Sequence, residues 1–84
     1  MTVKNAEIQA KRLGEIVIYH RKKSGLTQFE LAELAGIGKA SVFDIEHGKC
    51  SVQFDTLVKL LNVLNISFEL HSPLMQGFKS REKS

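Results

Sequence analysis

The sequence predicts an all-α fold: a bundle of four to five helices, followed by a short strand that pairs across a dimer. Three observations predict it. Apolar residues recur at helical spacing from Leu13 to Leu64, glycines interrupt that pattern at Gly25, Gly36, Gly38 and Gly48, and only after Asn65 does it change to strict alternation. A chain of 84 residues closes one core at most, and its 43% hydrophobic content suffices for that core without metal or disulfide staples. A single domain is therefore expected over residues 1–75, with a polar, disordered tail over 76–84.

The first helix is expected from about Ala6 to Ser24. Leu13, Ile16, Val17 and His20 form its buried stripe, with His20 as a core-boundary histidine. Arg21, Lys22 and Lys23 place cations where the helix dipole is negative, and Gly25 supplies the stop. The second helix carries the clearest start signal. Thr27-Gln28-Phe29-Glu30 is a capping box, Leu26 and Leu31 stand at the positions of a hydrophobic staple, and Gly36 ends the helix after about two turns. A third helix spans about Lys39 to His47 between Gly38 and Gly48, and a fourth spans about Phe54 to Leu64, with Phe54, Leu57, Leu60, Leu61 and Leu64 in helical period.

The second and third helices form one geometric set. Leu31 and Ala35 lie a turn apart on an inner face, and Ala32 is small enough for a helix to cross close by. Gly36 lets the backbone reverse, Ile37 seals the turn, and Val42 and Ile45 point inward. Two helices so arranged cross at the steep angle of a helix-turn-helix unit. With Val42 and Ile45 inside, a rotation of about 100° per residue turns Ala40, Phe43, Asp44 and His47 outward, flanked by Lys39 and Ser41.

The segment from Gly25 to Gln28, the run Glu30 to Ile37, Ser41-Val42 and Ile45-Glu46-His47-Gly48 together resemble the Cro/lambda-repressor (XRE-type) helix-turn-helix family, with coverage from about Leu13 to Leu64. The resemblance implies a lambda-repressor-like bundle whose third helix enters the major groove of double-stranded DNA. It makes Lys39, Ala40, Ser41, Phe43 and Asp44 the base readers, and it places Thr27 and Gln28 against phosphates. Lys39 could then donate to guanine, Ala40 and Phe43 could touch a thymine methyl, and Asp44 could accept from a cytosine amine. It also implies a partly buried salt bridge between Arg21 and Glu46. Two residues depart from the family pattern: Gly38 stands where a serine cap is common, and Asp44 where a polar or basic residue is. A groove-facing carboxylate is repelled by phosphates unless it finds a donor, so Asp44 either rejects wrong sequences or marks a weakly reading face.

From Ile66 to His71 apolar and polar residues alternate, the pattern of a half-buried strand that Pro73 closes. No other segment alternates, so the strand's amides need either the same strand of a second copy or a fold-back onto their own domain. In the first arrangement Ile66, Phe68 and Leu70 cap the joined core of a homodimer. Such a body-plus-strand plan resembles HipB-type antitoxins. That resemblance implies an autoregulating antitoxin of a HipBA-like operon, with a HipA-like kinase toxin as a further partner. The alternatives are an interaction module that mainly sequesters such a toxin, and a stand-alone phage-type repressor.

The net charge of +3 and pI near 9.2 favour a polyanionic partner only mildly. No apolar run approaches the roughly 20 residues of a bilayer span, and the start from Met1 to Lys11 is too polar for a signal peptide, so a cytoplasmic, non-membrane protein is expected. Cys50 is alone and is read as a loop thiol; one cysteine and three scattered histidines lack metal-ligand spacing. Neither a nucleophile-base set nor a phosphate-cradling glycine loop appears, so no enzyme and no cofactor are expected.

Overall fold

The computed structural model describes residues 3–82. Five helices follow in order: α1 (Val3–Lys23), α2 (Gln28–Ala35), α3 (Lys39–Glu46), α4 (Phe54–Val63) and α5 (Met75–Glu82). The core is one cluster of Val17 from α1, Leu31 and Ala32 from α2, Val42 and Ile45 from α3, and Leu60, Leu61 and Leu64 from α4 and its end. Leu13, Leu26, Ile37, Val52, Leu57, Val63 and Ile66 pack around it. The apolar period thus selects the inward faces except at Phe54, which begins the α4 stripe yet is 70% exposed, and burial of the inward side chains is the main force holding the short helices together.

The first four helices end in the same way. In each, the chain turns through a left-handed residue (Gly25, Gly36, Gly48 or Asn65), and the next amide returns to the carbonyl five residues earlier. Gly36 is the stop inside the helical pair: its φ of 70° lets Ile37 N–H reach Ala32 O at 3.0 Å, which turns Ile37 back onto the core. The α2 start holds its capping box, with Glu30 N–H donating to Thr27 Oγ1 at 3.0 Å and Thr27 N–H donating to Glu30 Oε1 at 2.9 Å.

α1 and α3 approach at backbone distance. A Cβ added to Gly14 would lie 2.6 Å from Ile45 O and 2.7 Å from Glu46 O, so only hydrogen fits between the helices there. Gly48 meets α1 from the other side, where an added Cβ would lie 3.1 Å from Lys11 Cα. Helical periodicity does not reveal such a contact, because Gly14 stands inside α1 at a position with no side chain to count.

Two sequence expectations change. Residues 76–82 are not a disordered tail: α5 covers Met75–Glu82, begun by Met75 N–H donating to Ser72 O at 3.2 Å. Composition pointed to disorder because α5 buries no side chain, so no apolar stripe marks it in the sequence. Residues 83 and 84 lie outside the described residues. Residues 66–71 form no strand, because among the described residues no other extended segment lies beside them to supply ladder hydrogen bonds. In the single chain Ile66 packs on the core, Phe68 stacks on Phe54 with ring centroids 5.6 Å apart, and Leu70 is exposed.

Replacing Gly14 with alanine tests the α1–α3 contact. Alanine raises intrinsic helix propensity by about 0.5–1 kcal/mol, yet the added methyl meets backbone that cannot rotate away. We expect Gly14→Ala to lower stability by about 1–3 kcal/mol in urea unfolding; an unchanged or raised midpoint would contradict this packing.

Candidate nucleic-acid interface

The orientation of α3 is set by what it buries. Val42 is fully buried and Ile45 is 3% exposed, and they anchor one side of the helix. Glu46 is the one buried charged residue among those described, and its carboxylate is fully engaged. Arg21 Nε donates to Glu46 Oε2 at 2.5 Å, Arg21 Nη2 donates to Oε1 at 3.2 Å, and Gln28 Nε2 donates to Oε1 at 2.9 Å. Arg21 Nη1 also donates to Leu26 O at 2.8 Å. One guanidinium therefore ties the end of α1, the turn into α2 and the end of α3, as bidentate geometry allows.

The opposite side of α3 is open. Lys39, Ala40 and His47 are exposed, Phe43 is 49% exposed, and Ser41 and Asp44 are half-buried. The Phe43 and His47 rings stack with centroids 3.9 Å apart at 22°, and His47 Nδ1 lies 2.8 Å from Phe43 O. Gly38 caps α3 without a side-chain hydrogen bond, which leaves the first amides of α3 free of a side-chain acceptor. Asp44 is not a bare carboxylate, because Lys49 Nζ donates to its Oδ2 at 3.4 Å. This in-chain cation offsets the repulsion that a lone carboxylate would meet near phosphates.

The expected contact residues thus fall on two helix starts and one helix face. Thr27 and Gln28 open α2; Lys39, Ala40, Ser41, Phe43 and Asp44 run along the outward side of α3. Gln28 is partly committed, since one amide hydrogen serves Glu46 and the other remains for an outside acceptor. Ile66, Phe68 and Leu70 lie in the segment after α4, apart from this face in sequence and helix. Sequence reasoning missed Ser51, Gln53 and Thr56, which join Ser41 and Asp44 around an open polar recess between α3 and the start of α4. The signal was a polar run ahead of the fourth helix. Lys49 was missed because it lies past the glycine stop. Among the described residues no group of three or more His, Cys, Asp or Glu could hold a metal ion, Cys50 is free and exposed, and no helix is long and apolar enough to cross a membrane.

Residues 17–71, more than half of the chain, match the helix-turn-helix family HTH_3. The chain belongs to the HTH_3 helix-turn-helix family. Curated relatives of this helix-turn-helix protein are transcriptional regulators. It is 34% identical over 61 residues to the uncharacterized HTH-type transcriptional regulator y4mF of Sinorhizobium fredii, covering 73% of this chain and 80% of that one. It is 42% identical over 57 residues to the HTH-type transcriptional regulator PuuR of Escherichia coli K12, covering 68% of this chain but only 29% of PuuR. Among solved structures it is similar to a chain of the HipA-HipB-O2-O3 complex, with a TM-score of 0.68 at 28% identity over 76% of this chain and 90% of that one. A chain described as MDT Protein matches with the same values. The family and these relatives make the protein an all-α, DNA-binding transcriptional regulator, with α2 and α3 as its helix-turn-helix.

Removing Glu46 tests what holds α3 in place. Glu46→Ala leaves the Arg21 guanidinium, 11% exposed, and the half-buried Gln28 amide without their acceptor, and we expect a loss of about 3–5 kcal/mol in thermal or urea unfolding. Lys49→Ala breaks only the exposed pair with Asp44 and should cost about 1 kcal/mol or less. Equal effects of the two substitutions would contradict the weight placed on the buried network.

Proposed function

We propose that this regulator is a homodimeric, sequence-specific repressor that reads an inverted-repeat operator with α3. We propose further that it is the autoregulating antitoxin of a HipBA-like operon, with a HipA-like kinase toxin as its second partner. One observation carries the DNA-reading part: Val42, Ile45 and Glu46 occupy the buried side of α3, so Lys39, Ala40, Phe43 and His47 are left on the side that a duplex can reach.

The chemistry of that side suits a major groove. Lys39 donates to guanine N7 or O6, and Ala40 and Phe43 supply apolar surface to thymine methyls. Asp44 exchanges between Lys49 and a cytosine amine, which disfavours bases offering only acceptors. Ser41 can donate or accept. The Thr27 hydroxyl accepts from Glu30 N–H and keeps its own hydrogen for a phosphate, as Gln28 keeps its second amide hydrogen. The uncapped first turn of α3 adds amide donors of the kind that bind phosphate at helix N-termini.

Dimerisation is assigned to residues 66–71, where Ile66, Phe68 and Leu70 from two copies meet about a two-fold axis. The antitoxin role draws support from the likeness to a chain of the HipA-HipB-O2-O3 complex. A second reading is a stand-alone repressor without a toxin, since the relatives y4mF and PuuR are named as transcriptional regulators. Co-purification with a HipA-type kinase separates the two.

Selection of bound sequences from a random duplex pool tests the DNA reading, with an inverted repeat as the expected result. Half-sites should lie one helical turn or a multiple apart. Lys39→Ala should weaken binding to the selected duplex by about 1–3 kcal/mol, measured by titration at fixed salt. An equal loss on random DNA would remove Lys39 from base reading.

A further inference from the structure

We propose that His47 is a positioning residue for Phe43, so that the two rings act as one reading unit on α3. The inference rests on the DNA reading above and names a residue that reading leaves without a role.

Phe43 projects from an exposed helix face, and in a helix its χ1 has two accessible wells, so an unsupported ring would move between them. His47 removes that freedom. It stands four residues later, where a helical side chain leans back over the preceding turn, and its ring lies 3.9 Å from the Phe43 ring at 22°. The imidazole is itself tied at a second point, with Nδ1 2.8 Å from the Phe43 carbonyl. A carbonyl only accepts, so Nδ1 carries the hydrogen and donates it. Stack and hydrogen bond together hold both rings on the outer side of α3. His47 is exposed and Phe43 is half-exposed, so this ordering does nothing for the buried cluster. It presets one orientation of the aromatic surface offered to a groove, and presetting lowers the ordering cost of binding.

The ligand chemistry is the 5-methyl group of thymine, which an apolar ring edge or face can contact and which uracil lacks. His47 therefore sets how well the regulator distinguishes thymine from uracil at the position under Phe43.

The test uses the full chain and the duplex obtained by selection, with each thymine of one half-site replaced in turn by deoxyuridine. Wild type should lose affinity by about two- to tenfold at one such position. His47→Ala should bring that thymine-to-uracil ratio close to one, while its melting temperature stays at the wild-type value. His47→Tyr, which keeps the stack, should restore most of the ratio. The inference is overturned if no thymine replacement weakens wild type, or if His47→Ala keeps the full ratio. It is also overturned if His47→Tyr behaves like His47→Ala. Failure of wild type to enrich any duplex would instead overturn the DNA reading itself.

Discussion

The buried carboxylate of Glu46 joins three segments through side-chain hydrogen bonds. Arg21 reaches it from the end of α1, Gln28 from the start of α2, and Glu46 itself closes α3. A charge placed at 6% exposure is tolerable only when every lone pair is served, and here each carboxylate oxygen accepts at least one charge-assisted bond. The energetic gain of such a pair over an apolar substitute is small, but its directionality is high. An apolar contact at this site would fix the rotation of α3 by packing alone, whereas the guanidinium fork adds a directional constraint. The helix whose outward side is proposed to read DNA is the one whose rotation is fixed by geometry as well as by packing.

The Gly14 contact works with that network. Because α1 lies against the carbonyls of Ile45 and Glu46, the end of α3 is held at two points along one face of α1, by backbone contact at Gly14 and by the Arg21 side chain about two turns on. The start of α3 is different: Gly38 gives no side-chain bond, and Lys39 and Ala40 are exposed. The helix is thus firmly held at its C-terminal end and open at its N-terminal end, which is the end a major groove receives.

Much of this was legible in the residues. The Thr27–Glu30 box, the stop at Gly36 and the inward pair Val42 and Ile45 follow from local chemistry and period, and the structure has each in place. The family resemblance supplied the Arg21–Glu46 pair, which periodicity alone would have treated as two surface charges. What was not legible depended on distance through space. Gln28 reads as a free polar residue until Glu46 is placed beside it, and Lys49 reads as a loop cation until the Gly48 turn folds it back onto Asp44. The α5 helix escaped because its residues bury nothing, so no apolar stripe announced it. Residues 66–71 alternate like a strand, yet one chain offers no partner edge, so their ladder belongs to a second copy or does not form.

The claim at the centre of the account is that the side of α3 opposite Val42, Ile45 and Glu46 is the surface that meets a duplex. Backbone amide resonances of the labelled protein, followed while a selected duplex is added, address it directly. The account predicts that the largest shifts fall on Thr27, Gln28, Lys39, Ala40, Phe43, Asp44 and His47, with α5 little changed. Shifts concentrated on α5 and residues 66–71, with α3 silent, would contradict it.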